Sequence, residues 1–319
     1  HAIMNIVASA FGNAGQKCSA CSLLLVERSV YEDKNFQDKL KDAATSMKVG
    51  SVWNPGNVVG PMITNKNDKL LKALELEKGE SWLVPPRFLD KHKYVLAPTV
   101  KWGVRPGNYS FRTELFGPML SVVCIENLQQ GINWVNSLDY GLTSGLQSLD
   151  EGEQKLWKDS IMAGNLYINR GITGAIVNRQ PFGGMKLSAF GGGVKAGGPN
   201  YCACFVKITD KLGSTTDYTQ SYVKAYEQEF AHARDVNNLY GEQNAFRYLP
   251  LKNMVLRLFP GDNNEDAKMI ALAARICHTP LSISFEPGDD RTAALASLGC
   301  PLKEEALAGF LKSMKNYER

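Results

Sequence analysis

The stretch Asn13-Ala14-Gly15-Gln16-Lys17-Cys18-Ser19 puts a thiol at the end of a glycine-containing turn, and Ala20-Cys21-Ser22 leads from it into the apolar run Leu23 to Val26. A cysteine on a turn that feeds a buried strand sits at the edge of a packed scaffold, where its thiolate can attack an electrophile. The ordinary alternative is a packed thiol, because free cysteine behaves as a small apolar residue. A redox pair of Cys18 with Cys21 fits less well. Such a pair opens a helix that lowers the first thiol's pKa, and here a strand pattern follows instead. A zinc site joining Cys18 and Cys21 to Cys202 and Cys204 has suitable donors. However, Cys202 and Cys204 share one face of an alternating stretch and read more simply as core. The histidines His1, His92, His232 and His278 lie in no motif that supplies a Cys–His dyad.

Two further groups could serve such a thiol. Glu114 lies in Arg112-Thr113-Glu114-Leu115-Phe116-Gly117-Pro118. It is either a solvated acid before a turn or a carboxylate that accepts hydrogen bonds from ribose hydroxyls, with Phe116 packed beside it. Gly171-Ile172-Thr173-Gly174-Ala175 and Pro181-Phe182-Gly183-Gly184 belong to a glycine-rich stretch from Gly171 to Asn200. That stretch is either coil or a turn whose backbone N–H groups face a small anion, with Phe182 as an apolar wall. Its later glycines carry no lysine-plus-hydroxyl phosphate-loop pattern.

The elements that hold these groups follow from periodicity. Strands are expected at Leu23 to Glu27, Met119 to Ile125, Leu142 to Ser148, Asn165 to Asn169 and Cys202 to Ile208. Helices are expected at Tyr31 to Met47, Lys66 to Glu77, Leu128 to Ser137 and Glu151 to Ala163, with short strands between Ser81 and Val104. This alternation predicts an α/β fold with a largely parallel sheet. A polar, partly helical stretch follows, including Tyr222 to Arg234. The last segment reads as a βαβ unit: strand Met254 to Leu258, a helix capped by Asp262, then strand Leu281 to Phe285. Met269, Ile270, Ala273, Ile276 and Cys277 share one face of that helix. Its first turn holds one glycine, short of a dinucleotide fingerprint.

Composition narrows the class. With 36 basic and 32 acidic residues the net charge is +4, too mild for a nucleic-acid partner. No apolar run reaches the length of a transmembrane span, and no signal peptide is visible. Seven scattered cysteines point to a reducing, cytoplasmic compartment rather than a disulfide framework. The first methionine is Met4, and helical spacing is already under way at Ile3, Ile6 and Val7 without a capping residue. This predicts a fragment of a longer protein.

Gly15-Gln16-Lys17-Cys18, Glu114-Leu115-Phe116-Gly117-Pro118 and Pro181-Phe182-Gly183-Gly184, in that order, resemble the motifs of the aldehyde dehydrogenase superfamily over roughly residues 1 to 205. Ser19 after the cysteine, and Thr173-Gly174-Ala175-Ile176-Val177 ahead of Gln180, resemble the L-glutamate γ-semialdehyde (Δ1-pyrroline-5-carboxylate) dehydrogenase branch. Gly241-Glu242-Gln243-Asn244 and Arg247-Tyr248-Leu249-Pro250-Leu251 resemble the C-terminal extension of bifunctional proline utilization A proteins.

The resemblance implies roles. Cys18 attacks the aldehyde, and its backbone N–H helps hold the oxyanion. Ser19, Gly174 and Ala175 bind the substrate α-carboxylate, Phe182 packs on its aliphatic part, and Glu114 and Phe116 seat the nicotinamide ribose of NAD. It also implies a homo-oligomer, and an FAD-dependent proline dehydrogenase upstream. The general-base glutamate and the oxyanion asparagine would lie before residue 1, so this chain alone is expected not to turn over. The expected domains are 1–208, an aldehyde dehydrogenase catalytic domain; 209–247, a partly helical linker; and 248–319, a Rossmann-like extension that binds no cofactor. Two rivals remain: an aldehyde dehydrogenase for another aldehyde, and a non-catalytic assembly module.

Overall fold

A computed structural model of the chain describes residues 1–177, 179–190, 193–207, 209, 218–289 and 291–317. They fall into two compact units, His1–Phe205 and Val206–Arg319.

The first unit is built on a four-stranded sheet. Its strands are β1 (Leu23–Glu27), β2 (Ser81–Val84), β3 (Thr99–Val104) and β4 (Met119–Ile125), in the order β1-β4-β3-β2. β1 and β3 both run parallel to β4, and β2 is antiparallel to β3. A strand flanked on both sides by parallel neighbours is covered on both faces, which explains the near-continuous apolar sequence of β4. Helix α1 (Ala2–Phe11) sends Ile6, Val7, Ala10 and Phe11 into the core formed by Val26, Val100, Leu120 and Val122. Leu40 and Ala44, from the helix Lys34–Thr45, close the same core. That helix starts later than the spacing predicts, because the Asp33 carboxylate caps it by accepting from the Asn35 N–H at 2.9 Å. Residues Arg28–Tyr31 form a separate helical turn. The helix expected from Lys66 shortens to Asp68–Ala73, where Asn67 Oδ1 caps the Leu70 N–H at 3.1 Å.

Two small strand pairs complete the unit. β5 (Tyr140–Gly141) pairs antiparallel with β8 (Met185–Lys186), and β6 (Thr143–Leu146) pairs parallel with β7 (Asn165–Ile168). The helices Leu128–Asn136 and Glu151–Ser160 lie close to their predicted positions. One expected strand is absent. Residues Tyr201–Phe205 form a 3-10 turn, with Cys202 and Cys204 exposed rather than in the core, and Ile208 lies outside the described residues. The reason is local: N–H groups of Gly198, Tyr201 and Ala203 each bond three residues back, which consumes groups a ladder would need.

The second unit carries a three-stranded parallel sheet of β9 (Met254–Arg257), β10 (Leu281–Phe285) and β11 (Leu302–Glu304), with β10 central. The helix Asn264–Ile276 connects β9 to β10. Its cap is Asn263, whose Oδ1 accepts from the Glu265 N–H at 2.9 Å; Asp262 instead accepts from the Phe259 N–H at 2.7 Å. Its buried side is Ala267, Ala271 and Ala274, small enough for close approach to the sheet. Met269, Ile270 and Ala273 instead line a cleft of about 400 Å³ with Tyr222 and Asp266. The helix Tyr218–Ala225, within the stretch expected as a linker, packs on Asn264–Ile276 inside this unit. No helix among the described residues is long and apolar enough to cross a membrane.

Candidate active site

The turn that follows α1 is strained. Asn13, Ala14 and Gly15 have φ of 55°, 54° and 65°, three successive left-handed residues. A non-glycine residue pays for that conformation. Asn13 offsets part of the cost by donating from Nδ2 to the Gln16 carbonyl at 3.1 Å. The chain then turns again, with the Ala20 N–H donating to the Lys17 carbonyl at 2.9 Å, and the Cys21 N–H to the Ser9 carbonyl at 3.0 Å. These bonds leave Cys18 exposed and Ser19 buried. Cys21 has the opposite fate. It packs against the main core and donates to the Leu23 carbonyl at 3.5 Å, and burial pushes its thiol up to about 11. The structure therefore separates the two cysteines: Cys18 is presented, and Cys21 is packing.

The Glu114–Pro118 segment lies directly against this turn. Gly15 approaches Gly117 so closely that a Cβ on Gly15 would sit 2.6 Å from the Gly117 carbonyl carbon. Gln16 joins three segments: Nε2 donates to the Phe116 carbonyl at 3.4 Å, and Oε1 accepts from the Ile63 N–H at 3.2 Å. Leu115 is buried and its carbonyl accepts from Asn67 Nδ2 at 2.7 Å, while Phe116, at φ 49°, turns out to 37% exposure. Glu114 is exposed. Phe116, Asn13, Ala14 and Gln16 line one wall of a cleft of about 350 Å³.

The glycine turn is tied to the same helix end, since the Ile172 N–H donates to Ser9 Oγ at 3.0 Å. Gly174 is half-buried and Ala175 exposed. Phe182 is held differently. It pairs with Ala196 through two backbone bonds of 3.0 and 2.9 Å. Asn165 grips its neighbours: Nδ2 donates to the Pro181 carbonyl at 2.9 Å, and Oδ1 accepts from the Gly183 N–H at 3.1 Å. Lys195 Nζ donates to the Gly164 carbonyl and, at 3.3 Å, to Asn165 Oδ1; burial pushes this amine down to about 8. A direct bond thus joins the Cys18 turn to the Glu114–Pro118 segment, Ser9 of α1 links it to Ile172, and Phe182 rides on residues 164 and 165. Sequence reading missed Ser9, Asn67, Asn165 and Lys195. The one signal was a serine among the apolar positions of α1.

Residues 1–210 match the model of the aldehyde dehydrogenase family. The chain belongs to that family. Among curated relatives, 1-pyrroline-5-carboxylate dehydrogenases of Geobacillus sp. (strain WCH70) and Bacillus subtilis (strain 168) are each 35% identical over 202 residues, 63% of this chain. The chain spans 38% of the length of each. Among solved structures, proline utilization A from Corynebacterium freiburgense is 36% identical with a TM-score of 0.80, over 96% of this chain and 35% of that one. A 1-pyrroline-5-carboxylate dehydrogenase from Thermus, with bound NAD, is 34% identical with a TM-score of 0.59, over 65% of this chain and 39% of that one. The fold class expected from the sequence is that of these aldehyde dehydrogenase neighbours. The second unit is covered by the Corynebacterium likeness, which spans nearly the whole chain.

Proposed function

We propose that this segment supplies the nucleophile and the substrate-selecting turn of an NAD-dependent oxidation of L-glutamate γ-semialdehyde to L-glutamate. The observation that carries the reading is an exposed Cys18 just after a strained turn, with Gln16 of that stretch bonded to the Phe116 carbonyl and Ser9 of the preceding helix bonded to the Ile172 N–H. The Cys18 thiolate forms a C–S bond to the aldehyde carbon, and the carbonyl oxygen becomes the oxyanion of a hemithioacetal held partly by the Cys18 N–H. Bound NAD⁺ supplies the hydride acceptor. With the C–H bond broken, Cys18 carries a thioester, and attack by water releases glutamate and restores the thiol. Ser19, Gly174 and Ala175 hold the α-carboxylate, and Phe182 covers the aliphatic chain.

An exposed Glu114 carboxylate, two residues from the outward ring of Phe116 beside the cleft, suits ribose hydroxyls and a nicotinamide face. In the whole protein we place residues 1–208 as the catalytic domain and 248–319 as a Rossmann-like extension without cofactor. Upstream we place an FAD-dependent proline dehydrogenase, within a cytoplasmic homo-oligomer. The 319 residues alone are proposed not to turn over. The test uses the full-length protein that contains this segment, following nicotinamide reduction with the semialdehyde and with a neutral aldehyde of equal length. Strong preference for the semialdehyde, lost in Cys18→Ser, is expected. Equal rates on both aldehydes would remove the substrate assignment, and full activity in Cys18→Ser would remove the mechanism.

A further inference from the structure

Ser9 occupies an unusual place. It is 3% exposed among the buried apolar residues Ile6, Val7, Ala10 and Phe11 of α1, and it touches both working segments of the site. Its backbone carbonyl accepts the Cys21 N–H at 3.0 Å, which fixes the exit of the Cys18 turn. Its hydroxyl donates to the Asn5 carbonyl at 2.6 Å and accepts the Ile172 N–H at 3.0 Å. A helix does not need that hydroxyl, since serine inside a helix is no better than neutral.

A second tether runs from the same face, one turn earlier. Asn5 Nδ2 donates to Gln147 Oε1 at 3.1 Å, and Gln147 Nε2 donates to the Arg170 carbonyl at 3.1 Å. Residues at i and i+4 of a helix lie one above the other, so Asn5 and Ser9 grip residues 170 to 172 from one ridge of α1. The space is tight. A Cβ on Gly171 would stand 3.2 Å from Ser9 Oγ, and Ile172 packs so near Gly145 that a Cβ there would meet its Cγ2 at 2.5 Å.

We propose that Ser9 is a specificity-determining positioning residue, whose hydroxyl sets the distance between Cys18 and the turn Thr173-Gly174-Ala175. Ser9 does not touch substrate. It fixes residue 172, and residue 172 delivers the N–H groups of 174 and 175 to where a carboxylate two or more carbons from the aldehyde would reach. The aldehyde carbon is located by Cys18, whose turn is anchored to α1 by the Cys21 N–H bond to the Ser9 carbonyl. A substrate with a terminal carboxylate therefore needs both segments in register, and a neutral aldehyde needs only the first. This inference rests on the proposed carboxylate role of the turn.

The test uses the full-length protein with Ser9→Ala and, independently, Gly171→Ala, which crowds the tether without changing Ser9. Steady-state rates are measured with L-glutamate γ-semialdehyde and with a neutral aldehyde of similar length, and iodoacetamide labelling of Cys18 reports the nucleophile. In both variants kcat/KM for the semialdehyde should fall about five- to tenfold, mainly through KM, as expected for one lost hydrogen bond. The neutral aldehyde and the labelling rate should change less than about twofold. Equal loss on both aldehydes, or an unchanged KM for the semialdehyde, overturns the positioning role. A wild-type protein that shows no preference for the acid-bearing aldehyde overturns the functional reading itself, and this inference with it.

Discussion

Replacing Gly15 by alanine should separate the Cys18 turn from the Glu114–Pro118 segment, at a cost that follows from two features. The first is conformation: φ is 65°, and a Cβ in the left-handed region costs about 1–2 kcal/mol. The second is space. The new Cβ would lie over the Gly117 carbonyl, 2.6 Å from its carbon, and 2.9 Å from the Ala10 carbonyl oxygen. Both obstacles are backbone, and Gly117 is itself buried, so no flexible side chain can yield. Overpacking of this kind costs about 1–3 kcal/mol. The sum is a loss of about 2–5 kcal/mol from the first unit. Gly12 is the matched control, since its φ is −54° and nothing lies within 4 Å of its Cβ position. Gly12→Ala should change stability by less than about 0.5 kcal/mol. Urea unfolding read by intrinsic fluorescence, with the transitions of the two units resolved separately, gives both numbers. Iodoacetamide labelling of Cys18 should also change in Gly15→Ala and not in Gly12→Ala. Equal stability of the two variants would refute the close apposition of Gly15 and Gly117.

Other changes test neighbouring parts of the same structure. Asn67→Ala removes both the cap on Asp68–Ala73 and the bond to the Leu115 carbonyl, and should destabilise the first unit by about 1–3 kcal/mol in urea titration. Asn165→Ala frees Pro181 and Gly183 on either side of Phe182, so KM for the semialdehyde should rise with little change in Cys18 labelling. In the second unit, hydrogen bonds from the Arg291 side chain hold the Asp289 carboxyl down at about 2. A depressed folded-state value stabilises above the unfolded value of about 4 and is lost as pH falls through about 2. The acid limb of the second unit's melting profile should therefore be shallower in Asp289→Asn, and an unchanged limb would argue against that pairing.

Legibility from sequence followed the range of each signal. β1 and β4 stand at their predicted residues because a buried strand announces itself in consecutive apolar positions. The helix starts at Lys34 and Asn264 shifted, since one side-chain bond decides a cap and periodicity does not see it. Cys202 and Cys204 differ from the expected strand because alternation alone cannot tell a strand from a turn whose backbone is satisfied three residues back. Periodicity places Met269, Ile270 and Ala273 on one face of Asn264–Ile276 but does not say which face meets the sheet, and close packing selected Ala267, Ala271 and Ala274.

The sequence by itself determined the alternating α/β plan and put three short motifs in an order that resembles one enzyme family. These are properties of neighbouring residues, and local order carries them. Only the tertiary structure decided which cysteine meets solvent. Cys18 and Cys21 stand three positions apart in the same turn, and the difference arises from a carbonyl of α1 that draws Cys21 inward while the turn leaves Cys18 outside. Only the tertiary structure, likewise, brought Gly15 onto Gly117 and Ser9 onto Ile172. Those contacts join segments far apart in the chain, and they exist because α1 and β4 share one core. Burial of apolar surface in that core, rather than any local preference, fixes the distance between the thiol and the groups around it.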